Sequence, residues 1–195
     1  NEIGVFEMAD SGLVEVPNPS ETLLAGRPKD TPGTCVTCVM EGNRPVLAEI
    51  QALLAPTSFG NPRRTSNGFD YNRAMLLLAV LEKRGGLIVS SCDAYMNVIG
   101  GLYLDEPAAD LAAIISIASS FRDKPVPGEL TAIGEVGLTG ELRSVSALGQ
   151  RLSEVRRLGF KRCLIPAQNS MKLVEPEGLQ LVRVRNIREA LSAVL

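Results

Sequence analysis

The chain has 195 residues, 45% hydrophobic and 22% charged, with a net charge of −2, proportions that describe one ordinary globular core and exclude a disordered chain. Histidine and tryptophan are absent and aromatics make up 4%. This removes the commonest general base and metal ligand and argues against aromatic platforms for stacked bases.

Residues 3–7 and 12–16 read as short strands around a turn at Asp10-Ser11-Gly12. The chain enters this segment from Asn1 without an initiator Met, which suggests a piece of a longer protein; nothing there reads as a signal peptide, and no apolar run approaches the roughly 20 residues of a membrane span. Asn18-Pro19-Ser20 starts a short helix with Ser20 as candidate N-cap. Strands 34–41 and 45–54 follow, joined by Glu41-Gly42-Asn43-Arg44, whose central pair is hairpin chemistry. Residues 56–68 are the longest irregular stretch, of the kind that is often functional or mobile. Asp70 caps a helix over 71–84, where Ala74, Met75, Leu78 and Leu81 form an apolar stripe. Leu76, Leu77 and Val80 are apolar as well, which predicts a helix buried deeply or lying at a subunit contact.

Segment 94–104 reads as a strand ending in Asp105-Glu106-Pro107. Pro107 fits the first turn of a helix running through Ala118 with almost no polar face, which places it at the centre of the core. Strands near 129–135 and 141–145, a helix 147–158, a strand 161–165, a turn or short helix near 169–173, a strand 179–184 and a helix 186–194 complete the chain. Hairpins mixed with βα units predict a single α/β (α+β) domain over 1–195, with mixed β-sheets and packed helices.

Four features invite a chemical reading. Cys35 and Cys38 form a C-x-x-C, but no second pair at zinc-ribbon spacing and no histidine completes a metal site. Three residues apart on a strand they point to opposite faces, as small buried residues in a reduced compartment would. Gly134-Glu-Val-Gly-Leu-Thr-Gly140 is glycine-rich but lacks the Gly-Lys-Ser/Thr ending of a phosphate loop, and reads as tight turns between strands. Asp105, Glu106 and Asp110 cluster at a helix start, where caps and dipole partners are commoner than acid–base couples. The cations are unevenly spread: 61–84 holds Arg63, Arg64, Arg73, Lys83 and Arg84, and 151–162 holds Arg151, Arg156, Arg157, Lys161 and Arg162. Either patch suits an anionic partner or a solvated face.

Tyr95-Met-Asn-Val-Ile-Gly-Gly-Leu-Tyr-Leu-Asp-Glu-Pro-Ala-Ala-Asp110 resembles the Lon-protease domain around its nucleophile, where a strand leads into Asp-Gly-Pro-Ser-Ala-Gly and a long apolar helix. Ile133-Gly-Glu-Val-Gly-Leu-Thr-Gly-Glu-Leu-Arg143 resembles the family's Thr-Gly-Glu-Ile-x-Leu-x-Gly segment. Leu158-Gly-Phe-Lys-Arg-Cys-Leu-Ile-Pro166 matches its Gly-x-x-x-x-x-Ile-Pro strand. The register runs from Pro107 to Pro166 without a gap. In it the nucleophilic serine falls on Ala108 and the general-base lysine of Gly-Gly-Leu-Lys-x-Lys falls on Arg151. A methyl group attacks nothing, and a guanidinium stays protonated where a buried lysine can serve as a base. Ser116, Ser119 and Ser120 lie further along the helix, out of register, and Cys92 lacks a base.

Asn1 to Met8, Gly12 to Ser20, Arg44 to Gln51, Asn72 to Leu77 and Leu81 to Arg84 extend the resemblance over the whole chain, to the C-terminal domain of the bacterial RadA (Sms) DNA-repair family. There the domain follows a zinc finger and a RecA-like ATPase with a Lys-Asn-Arg-Phe-Gly motif, so ATP, magnesium and zinc are expected only in such upstream domains and no cofactor in this chain. The resemblance implies a cytoplasmic, non-catalytic scaffold for a ring, hexameric by analogy with the family, that helps a DNA-dependent ATPase in homologous recombination. Its implied partners are further copies of itself, the RecA-like domain, single-stranded or branched DNA, and a recombinase; a membrane is not among them. Arg63, Arg64, Arg73, Lys83 and Arg84 are the candidate DNA contacts, through phosphates rather than bases. A protein–protein module without DNA contact, and a residual serine peptidase, are the alternatives.

Overall fold

The computed structural model describes residues 4–58 and 60–195, together with the backbone but not the side chains of residues 170–172; residue 3 of the first expected strand and Phe59 of the expected loop lie outside. Two short strands, β1 (Phe6–Ala9) and β2 (Gly12–Glu15), form an antiparallel ribbon. Helix α1 (Pro19–Leu24) follows, capped by Asn18, whose side chain accepts from the Glu21 amide. Ser20 was the expected cap; Pro19 instead takes the first helical turn, where its missing N–H costs nothing, and this moves the cap to the residue before it. The Ser20 hydroxyl is thereby buried, accepting from the Leu47 amide (3.0 Å) and donating to Glu154 (2.8 Å).

Strands β3 (Thr34–Glu41) and β4 (Arg44–Pro56) pair in the expected hairpin, Glu41 facing Arg44. Gly42, at φ 61°, takes the first central turn position, the left-handed one that a type II′ hairpin requires. The stretch expected to be irregular begins inside β4 and contains β5 (Arg64–Asn67), which pairs in parallel with β6 (Cys92–Val98). Between them lies α2 (Tyr71–Gly85), capped by Asp70 and ended by the left-handed Gly86. Strand β6 stops at Val98, earlier than expected, because Gly100 and Gly101 turn the backbone to positive φ.

A 3-10 turn over Pro107–Ala109 leads into α3 (Asp110–Arg122). Strand β7 (Leu130–Ala132), the small hairpin of β8 (Glu135–Val136) and β9 (Leu142–Arg143), helix α4 (Leu148–Arg157), strand β10 (Arg162–Pro166), a 3-10 stretch Ala167–Lys172, strand β11 (Gln180–Val184) and helix α5 (Ile187–Val194) follow. The glycine-rich segment thus forms the β8–β9 turn, with the Gly137 amide bonded to the Glu141 carbonyl.

Seven strands make one mixed sheet in the order β11-β10-β7-β3-β4-β6-β5. Helices α2, α3 and α5 pack together on one face, and α1 and α4 cover β3 and β4 on the other. Helix α3 is central, as its lack of a polar face predicts: every residue from Asp110 to Ser120 is buried. The apolar excess of α2 is absorbed within the chain, since Leu77, Leu78, Val80 and Leu81 are all buried and Leu76, outside the stripe, is the one named apolar residue of the helix that is exposed. Cys35 and Cys38 fall into the two opposite apolar clusters, and burial pushes the Cys35 and Cys163 thiols up to about 12. Such thiols stay protonated and inert at neutral pH.

Candidate functional site

Ala108 and Arg151, the residues that the Lon resemblance nominates for a dyad, both lie on the α4 side of the sheet. Ala108, in the turn before α3, is buried in the same apolar cluster as Cys38, Ile133, Leu148 and Leu152. Its carbonyl accepts from the Gly134 amide (2.9 Å), and the Gly134 carbonyl accepts from the Leu111 amide (3.1 Å), which ties the helix start to the end of β7. No side-chain oxygen or sulfur stands at Ala108 to act as a nucleophile.

Arg151, on the inner face of α4, has no exposed surface. Each of its guanidinium nitrogens donates a hydrogen bond: Nη1 to the Cys38 carbonyl (2.7 Å), Nε to the Ser146 carbonyl (2.8 Å), and Nη2 to the Glu106 carboxylate. The other oxygen of Glu106 accepts from the Met40 amide at 2.9 Å. A guanidinium carries donors only and offers no lone pair to a substrate proton.

Four residues past Glu106, Asp110 is wholly buried and holds a second arginine. Arg73 donates from Nε to Oδ1 (2.9 Å) and from Nη2 to Oδ2, and the Val136 amide donates to Oδ2 (3.0 Å). Burial pushes the Asp110 carboxyl above its ordinary range, against the pull of Arg73 and of the Val136 amide, while the bond to Asp110 raises Arg73 further. In the register that the Lon resemblance implies, Glu106 and Asp110 would fall on the two glycine positions of Asp-Gly-Pro-Ser-Ala-Gly. Neither side chain caps α3, which has no side-chain cap, although Asp110 stands in its first turn, where a carboxylate meets the helix dipole as expected. Each instead neutralises an arginine from another element. Two carboxylates standing at glycine positions are the signal in the sequence that could have revealed this.

The serines of α3 are occupied as well. Ser116 donates to the Ile50 and Ala112 carbonyls, Ser119 accepts from the Gly33 amide and Ser120 from the Leu54 amide. They fasten the helix to the sheet, and their bonds run to backbone groups rather than to a base.

The five candidate DNA contacts are not one patch. Arg64 donates to the Cys92 and Val89 carbonyls, holding β5 to the segment before β6, and Arg73 is committed to Asp110. Arg63 is exposed beside Asp93, whose carboxylate accepts from the Arg63 amide. Lys83 and Arg84 are exposed at the end of α2, beside Thr139, Gly140, Asn186 and Arg188. Arg188, which no sequence motif marks, donates from Nε to the Arg84 carbonyl (2.6 Å) and so extends this basic shelf. In the second cluster, Arg157 pairs with Glu154 and Arg162 with Glu129. Among the described residues no group of three or more Cys, Asp or Glu side chains could hold a metal ion, and no helix is long and apolar enough to cross a membrane.

The family model of the Lon protease (S16) C-terminal proteolytic domain matches residues 94–195. Over all 195 residues the chain is 55% identical to the DNA repair protein RadA of Bacillus subtilis and 52% identical to that of Listeria monocytogenes, and over 194 residues 48% identical to that of Streptococcus pneumoniae. It spans 43% of the length of the first two and 46% of the third.

Proposed function

We propose that this chain, which belongs to the Lon protease (S16) C-terminal proteolytic domain family, serves as the non-catalytic Lon-like domain of a RadA-type DNA-repair protein. The observation that carries the reading is the pairing of 55% identity over the full chain with a site that holds Ala108 and a buried, hydrogen-bonded Arg151 where the dyad would stand. Relatives named for DNA repair and a fold without its nucleophile point to the same conclusion: the protease architecture is kept for what it supports.

What it supports, on this reading, is a ring of copies and a DNA surface for an ATPase motor. For the DNA surface, Arg63, Arg64, Arg73, Lys83 and Arg84 are the cations that the sequence offers. Lys83 and Arg84 carry the proposal, with Arg188 beside them, because their charges are exposed at a helix end; Arg64 and Arg73 act from inside, by fixing the elements around them. Cations facing phosphates give salt-dependent affinity that is indifferent to sequence. Such a protein works where DNA is, in the cytoplasm of a bacterial cell.

Two measurements test this. Light scattering coupled to size exclusion is expected to find an oligomer at high protein concentration, and a strict monomer would remove the scaffold role from this chain. Fluorescence anisotropy with single-stranded and branched DNA is expected to show binding that weakens steeply with salt. An oligomer without DNA binding would favour a protein–protein module instead.

A further inference from the structure

Strand β3 is paired on both sides only at its beginning. Its link to β7 is made at Val36, opposite Thr131, and β7 ends at Ala132. Beyond it the chain turns away, Gly134 bonding to Ala108 and Leu111 at the start of α3. Among the described residues, the side of β3 from Cys38 to Met40 therefore has no strand beside it, although Cys38 and Val39 are buried.

A carbonyl and the amide two residues later point to the same side of a strand. In a parallel ladder one residue of the neighbouring strand serves both: its N–H donates to the carbonyl and its C=O accepts from the amide. The Cys38 carbonyl and the Met40 amide are such a pair. Arg151 supplies the N–H, at 2.7 Å, and Glu106 supplies the oxygen, at 2.9 Å. These two side chains are bonded to each other, as the two ends of a peptide residue are joined by its backbone.

We propose that the Glu106–Arg151 pair takes the place of one residue of an extended peptide beside β3, so that the chain carries its own plug in a strand-addition slot next to the Ala108 position. Strand addition binds peptides through main-chain hydrogen bonds, which any sequence offers; a slot whose carbonyl and amide are already satisfied gives an incoming peptide nothing to bond. Loss of peptide handling is then enforced twice, by the methyl group at Ala108 and by the filled slot. Variants at Glu106 and Arg151 leave Lys83 and Arg84, the cations proposed for DNA, untouched.

The test is peptide binding by the full chain, followed by anisotropy with a fluorescein-labelled, unstructured casein peptide. Wild type is expected to show no saturable binding, whereas Glu106→Gly with Arg151→Met, which empties the slot and leaves no unpaired charge, binds the peptide saturably. Peptide binding by wild type at a comparable affinity, or none by a folded double variant, overturns the proposal. Hydrogen exchange provides a second measurement that survives poor folding of that variant. In Glu106→Ala the Met40 amide is expected to exchange at least tenfold faster relative to Val39, which lies opposite Val46 in the β3–β4 ladder. An unchanged ratio would show that Glu106 does not stand in for a strand, and would overturn the proposal equally.

Discussion

Arg73, at the start of α2, and Asp110, at the start of α3, are bound to each other by two hydrogen bonds at the point where α3 enters the core. The two ends of this pair are unequal: the Asp110 side chain has no exposed surface, whereas that of Arg73 is 29% exposed. Removing one partner of a buried pair strands the other, at a cost of about 3–5 kcal/mol. The stranded Asp110 is the worse case, so Arg73→Ala should destabilise more than Asp110→Ala in urea titrations. Replacing both by apolar residues of similar size should cost much less than either alone.

The same pair fixes a pH dependence. Burial alone pushes the Asp110 carboxyl up, and Arg73 is the main opposing influence. In Arg73→Ala that opposition falls to the Val136 amide, so the folded carboxyl, already above its ordinary range, rises further. A group of that kind contributes stability below its unfolded pKa and loses it as pH rises through its folded pKa. The deficit of Arg73→Ala against wild type is therefore expected to be smallest near pH 4 and to widen towards neutrality. A deficit independent of pH in denaturation series would mean that the carboxyl does not titrate in this range.

Restoring the dyad letters should not restore the enzyme. Ala108→Ser with Arg151→Lys puts a hydroxyl and an amine in register, but Glu106 remains beside the new amine. A neighbouring carboxylate favours the ammonium form, and an ammonium is no base. The double variant is expected to fold with a loss of roughly 1–3 kcal/mol, as bonds made by the planar guanidinium are lost. It should neither cleave casein nor react with serine-directed probes, and labelling at residue 108 would contradict this.

For DNA, Lys83→Ala with Arg84→Ala should lower affinity and reduce the salt slope by about 0.9 for each phosphate left without its cation. Arg64→Ala should behave differently. It frees the Cys92 and Val89 carbonyls that its guanidinium now holds, so its main effect is expected in the melting temperature. Gel-shift titrations at several salt concentrations, beside melting curves, separate the two. Equal salt slopes for wild type and the Lys83/Arg84 variant would remove the shelf from the DNA surface.

These contrasts show which parts of the molecule its sequence made legible. The Asp70 cap, the β3–β4 hairpin and the buried α3 depend on chemistry within a few residues, and the sequence pattern carries them directly. Register in the Lon resemblance nominates Ala108 and Arg151 for the dyad positions. The ion pairs of this region are not legible in the same way: Arg73 and Asp110 are 37 residues apart, Arg151 and Glu106 45, and no periodicity links them. Strand β5 was missed because Arg64-Thr-Ser-Asn67 has no apolar alternation and joins the sheet by backbone pairing. The cap of α1 went to Asn18 for a local reason, the proline after it, and this freed Ser20 for an interaction no local rule foresees.

That interaction predicts an acid sensitivity. Glu154, on α4, accepts from the Ser20 hydroxyl at 2.8 Å and from two nitrogens of Arg157. Burial works against its ionised form, but the bonds from Arg157 and Ser20 outweigh it and hold the carboxyl below its ordinary range. A depressed folded pKa contributes stability above the unfolded value, and that contribution is lost as pH falls through the folded one. Glu154→Gln should cost roughly 1 kcal/mol at pH 7, since Arg157 is half exposed and the pair partly screened. Below the folded pKa of Glu154 the wild-type carboxyl is protonated too, so the two stability curves should converge there. Ser20→Ala should lose part of the same contribution, together with the bond to the Leu47 amide, which does not titrate. Its curve should therefore stay below that of wild type even in acid, and chemical denaturation of the three proteins from pH 3 to 7 distinguishes these outcomes.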